Sequence, residues 1–79
     1  MIKRPALAPV SQRASSRDVT AAALAATLSN AFRLAARHNR NGGQHMVVQT
    51  RAAPLGPLWR VTATVRATAS DFIWFNLSW

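Results

Sequence analysis

The period of the apolar positions changes once along this chain. From Ala21 to Ala35 the residues Ala21, Leu24, Ala25, Leu28, Ala31, Phe32 and Ala35 recur three and four apart, the stripe of a one-sided helix. Neither Gly nor Pro interrupts Ser15 to His38. Ser15 or Ser16 can cap the helix, with Asp18 in its first turn beside the positive end of the dipole. Arg33, Arg37 and Arg40 fall on the opposite side near the negative end, and Asn39–Gly43 supplies the stop. After that stop the period becomes two. Gln44–Ala52 is rich in Val and Thr, and 53–57 is a Pro/Gly turn cluster. In Leu58–Thr68, Trp59, Val61, Ala63, Val65 and Ala67 alternate with Arg60, Thr62, Thr64, Arg66 and Thr68. Residues 69–71 read as a short turn and Phe72–Trp79 as a third strand. Ile73, Phe75, Leu77 and Trp79 make one face of that strand, and Phe72 and Trp74 lead the other.

The pattern predicts an α+β fold in which one N-terminal helix packs on a three-stranded antiparallel sheet, in the order α-β-β-β. Residues 1–14, with Pro5, Pro9, Lys3, Arg4 and Arg13, read as an extended basic arm, and residues 15–79 as a single domain. Leu24, Leu28 and Phe32 are expected to cover Trp59, Val61, Val65 and one side of the last strand. A single helix covers only one face of a sheet. Phe72 and Trp74 are therefore expected on the open face near Arg60 and Arg66. Aromatics beside arginines there have the composition of a binding surface or of a homodimer interface.

Composition narrows the chemistry. Ten cations, nine of them Arg, stand against Asp18 and Asp71, giving a formal charge of +8 in 79 residues with no Glu and no Cys. Such a field attracts nucleic acid, anionic membrane or acidic protein surfaces. The same composition removes most catalytic acids and bases and all thiolate ligands. His38 and His45 are the only imidazoles, too few for a metal site that needs three or four ligands. The chain is thus expected to be no enzyme and to carry no cofactor or metal. No apolar run reaches the roughly 20 residues of a membrane span, so a membrane partner is not expected and the cytoplasm is the default location. The Arg-, Ala- and Ser-rich segment 1–41 has the composition of a transit peptide, but its removal would leave too little chain to fold. Trp59 beside Arg60, and Arg66 with Trp74, allow nucleic-acid binding by phosphate contact and stacking. The recognition-motif signature of RNA-binding sheets is missing, as is the second helix of a double-stranded-RNA domain.

Two resemblances add expectations. Gly42-Gly43-Gln44-His45 resembles the GGQ loop of peptide-chain release factors and ribosome-rescue proteins, which implies a ribosomal partner and Gln44 as the position acting on peptidyl-tRNA. The same glycines equally make a helix-to-strand turn, with Met46-Val47-Val48 following as strand. The whole profile is small and basic, with a lone helix at Ser16–His38, a short sheet and no catalytic cluster. It resembles the anti-CRISPR inhibitors encoded by phages and mobile elements. That resemblance implies steric occlusion of a host nucleoprotein complex, acting in the cytoplasm of a host bacterium through an acidic protein surface or near bound nucleic acid. The expected function is a non-enzymatic basic binding protein of this inhibitory kind, with direct DNA or RNA binding and a Gln44-dependent ribosomal factor as alternatives. The expected binding residues are Arg33, Arg37, Arg40, Arg60, Arg66, Phe72 and Trp74.

Overall fold

The computed structural model describes residues 7–79. The elements run β1 (Val10–Val19), α1 (Ala21–Arg40), β2 (Val47–Leu55), β3 (Leu58–Thr68) and α2 (Ala69–Ser78). The three strands form one antiparallel sheet in the order β1-β3-β2. Both helices pack on the same side of it. The fold is therefore α+β, but ordered β-α-β-β-α rather than α-β-β-β.

The central strand follows directly from its alternation. Val61, Ala63, Val65 and Ala67 of β3 are buried, while Arg60 and Arg66 are exposed on the other side. β2 begins and ends three residues later than the expected Gln44–Ala52 strand, taking in Ala53–Leu55 of the expected turn cluster. Its link to β3 is only Gly56-Pro57, with Gly56 at φ +55. A positive φ at the first of two turn residues, followed by proline, matches the hairpin turns that agree with strand twist. Pro54 is tolerated because β2 is an edge strand and needs no donor on its outer side.

β1 is the first correction. Val10–Ala14 of the expected arm, the two expected capping serines and Asp18 all lie in this strand, paired with β3 from Val10↔Thr68 to Val19↔Trp59. Residues 1–6 of the arm are outside the described residues. The inward positions of β1, opposite Val65, Ala63 and Val61, are Arg13, Ser15 and Arg17. An apolar alternation is thus absent, and the ladder to β3 defines the strand. α1 consequently starts at Ala21, after Thr20 in extended conformation and without a side-chain cap bond.

The buried face of α1 is Ala31, Leu34 and Ala35, with Leu24 and Leu28 packed at its margin. Phe32 is 49% exposed, and Ala21 and Ala25 are exposed. The expected stripe is rotated because the second helix shares the covered face. α1 sits over β2 and β3 and turns Thr27 and His38 toward α2. The Thr27 carbonyl accepts a hydrogen bond from Trp79 Nε1 at 2.8 Å. Truncation to alanine should accordingly cost about 2–5 kcal/mol at Leu34 but about 1 kcal/mol or less at Phe32. Thermal melts of the two variants check this facing, and equal losses would contradict it.

The expected third strand, Phe72–Trp79, is a helix. Thr68 Oγ1 accepts from the Asp71 backbone N–H at 3.1 Å, which caps the first turn, and Asp71 favours the positive dipole end. Phe75 and Trp79, four apart, enter the core, whereas Ile73 and Leu77 stay 59% and 80% exposed. Phe75, Val61 and Val65 are the largest fully buried side chains, joined by Ala31, Leu34, Met46 and Val48 in a single cluster.

Candidate nucleic-acid interface

With both helices on one side, the other side of the sheet is uncovered. Strand register arranges it in four three-strand rows, Gln12–Arg66–Val47, Ala14–Thr64–Gln49, Ser16–Thr62–Arg51 and Asp18–Arg60–Ala53, with the pairs Val10–Thr68 and Leu55–Leu58 beyond them at either end. Its middle rows are polar and cationic, and the exposed apolar residues Val47 and Leu55 stand at its two ends. Asp18 receives a two-pronged contact from Arg60, Nε to Oδ1 at 3.0 Å and Nη2 to Oδ2 at 3.3 Å. That hydrogen bond, and then the carboxylate charge, raises the Arg60 pKa further above the ordinary arginine value. The pair is solvent-exposed, so it positions the side chain more than it stabilises the fold. Ser16 and Thr62 share a hydroxyl hydrogen bond of 2.9 Å.

The remaining cations of this face have no carboxylate. Asp18 is engaged by Arg60, and Asp71 lies beside His38 behind the sheet. Among the described residues no acidic side chain therefore lies within ion-pair distance of Arg51 or Arg66. Arg51, Gln49, Thr50, Thr62 and Thr64 line a shallow depression of about 300 Å³. A guanidinium, hydroxyls and a carboxamide border it, group types that recognise phosphate oxygens.

Arg60 and Arg66 thus stand on the open face as expected. Arg33, Arg37 and Arg40 are also exposed, but on α1, behind the sheet, so the cations divide between two surfaces. Phe72 and Trp74 are not on the open face. Both belong to α2 on the covered side: Phe72 lies beneath the Arg13 guanidinium, 5.9 Å from its carbon, and Trp74 lies against His38 with ring centroids 5.8 Å apart. A homodimer through the open face has no aromatic pair to bury. Arg51 is not among the expected binding residues, although its alternation with Gln49 and Ala53 carries the signal.

Behind the sheet, Arg37, His38, Asn41, Gly43, Asp71 and Trp74 line a cleft of about 420 Å³. His38 Nε2 is 3.3 Å from Asp71 Oδ2, yet makes no hydrogen bond of acceptable angle. No three His or Asp side chains gather as metal ligands among the described residues. The glycine pair has local structural reasons. Gly42 has φ +81, and a Cβ on Gly43 would collide with the His38 ring. Gln44 Nε2 donates to the Ala8 carbonyl at 3.4 Å. No helix among the described residues is long and apolar enough to cross a membrane.

No protein-family model, curated protein or solved structure matches this chain.

Proposed function

We propose that this protein is a non-enzymatic nucleic-acid-binding module that lays its uncovered sheet face along the phosphate backbone. The observation that carries the reading is the pair Arg51 and Arg66, without carboxylate partners among the described residues, on a face whose middle rows hold Thr62, Thr64, Ser16 and Gln49. A protein partner of ordinary composition would need an apolar centre on this face, whereas its larger apolar residues, Val47 at one end and Leu55 and Leu58 at the other, flank the polar middle rows. Aromatic platforms for unstacked bases are absent from its four rows, which favours a duplex over a single strand. The net charge of +8 adds long-range attraction of the same sign.

Fluorescence anisotropy on a labelled short duplex of arbitrary sequence tests the reading. Two to three phosphate contacts predict an affinity that falls with salt at a log–log slope of about −2 to −3. A salt-independent affinity would count against it. Stoichiometric capture of a host nucleoprotein complex, with no affinity for naked duplex, would replace it by the inhibitor mode that the anti-CRISPR resemblance implies.

A further inference from the structure

The strand β1 forms one edge of the sheet, pairing with β3 on one side only. Its inward row is Arg13, Ser15 and Arg17, against α2. The Arg13 guanidinium lies 5.9 Å from the Phe72 ring centroid, and that of Arg17 lies 4.9 Å from that of Trp79. Between them Ser15 donates to Asn76 Oδ1. Aromatic faces thus hold both cations in place and partly desolvate them. Arg13 Nη1 and Arg17 Nε are buried with no hydrogen-bond partner among the described residues. Neither acidic side chain of the sequence can compensate, because Asp18 is engaged by Arg60 and Asp71 lies beside His38. Both arginines are half-buried, so the unpartnered nitrogen of each is hidden while the rest of the guanidinium stays within reach from the β1 edge; buried N–H groups are normally satisfied.

We propose that the outer edge of β1 docks an extended acidic segment of a partner protein, which joins the sheet as a fourth strand and sets two inward carboxylates beside Arg13 and Arg17. This surface is separate from the open face and does not depend on the nucleic-acid reading. The four-residue step between the arginines is about 13 Å along the strand. Acidic residues four apart on an added strand share a face and repeat that distance. Main-chain pairing supplies affinity, and the two carboxylates supply specificity. A phosphodiester backbone fits the edge less well. It can accept from the β1 amides but has few donors for the β1 carbonyls. A second copy of the chain fits less well too, because pairing β1 with β1 would bring two Arg13/Arg17 rows together.

The probe is a synthetic peptide of alternating threonine and valine with two glutamates four residues apart, compared with the same peptide carrying glutamines. Amide chemical shifts and hydrogen exchange of the full chain report binding. The expected result is new protection confined to Val10–Val19, with the glutamate peptide at least about tenfold tighter than its glutamine counterpart at low salt. That preference should vanish in Arg13→Met/Arg17→Met, where methionine keeps an apolar stem against Phe72 and Trp79. Duplex affinity in this variant should stay within about twofold of the parent. Equal affinity for the two peptides would overturn the proposal, and that comparison needs no variant to fold. Protection elsewhere than β1, or displacement of the peptide from β1 by duplex, would overturn it as well, leaving the inward arginines as guards against edge-to-edge association.

Discussion

Replacing Phe75 by alanine is expected to remove the cooperative thermal transition of this protein, or to lower its midpoint by tens of degrees. The ring is fully buried, 5.6 Å from that of Trp79, and shares the core cluster with Val61, Val65 and Leu34. Truncating a buried phenylalanine costs about 3–5 kcal/mol. A chain of 79 residues has roughly 4–12 kcal/mol in total at typical stability per residue. Alanine at Ile73, two residues away in the same helix and 59% exposed, should cost about 1 kcal/mol or less. The contrast tests the element as well as the residue. In a strand, Ile73 and Phe75 would share a face and fail together. Comparable losses in circular-dichroism melts would therefore refute the helix.

The second large effect concerns binding. Arg51→Glu/Arg66→Glu should weaken duplex affinity by at least about a hundredfold at roughly 50 mM salt and flatten the salt slope by about two. Each reversal removes one phosphate contact and introduces repulsion. Both residues are exposed, so melting behaviour should hardly change. Arg33→Glu/Arg40→Glu makes the same change in net charge on the helix behind the sheet. If the open face is the binding surface, this second variant should lose far less affinity than the first. Equal losses would show that only net charge matters and that no face is selected.

Legibility in the sequence varied with the kind of force that holds each element. β3 was readable because its inner face is buried, so burial and the two-residue period coincide from Val61 to Ala67. α1 was readable as a helix from its uninterrupted alanine-rich run. Its facing was not, because that depends on a neighbouring helix that the pattern did not reveal. β1 was hidden for the opposite reason: Arg13, Ser15 and Arg17 occupy the positions where a strand normally announces itself with apolar residues. The segment Phe72–Trp79 is apolar on nearly every side, so period alone could not separate strand from helix. The local signal that decides it is Thr68-Ala69-Ser70-Asp71, the cap-and-acid spacing that precedes helices. Strand or helix at 72–79 also decides the site. A strand there would present Phe72 and Trp74 on the open face, whereas the helix holds them on the covered side; Arg60 and Arg66 depend only on the alternation of β3 and stand on the open face either way.

The pairing of Val10 with Thr68 joins the start of the first strand to the end of the last, and this has a consequence for the order of folding. β2 and β3 close through two residues and can pair within microseconds, and α2 follows β3 with no intervening link. β1 must close a far longer loop, whose entropic cost grows with length, and it brings only Val19 as an inward hydrophobic side chain. It is therefore expected to dock last, although it precedes the other elements in the chain. Until it does, the β3 edge that carries Val61 to Ala67 lies open to pairing with another copy, and the time spent in that state is set by how quickly the longest loop in the fold can close.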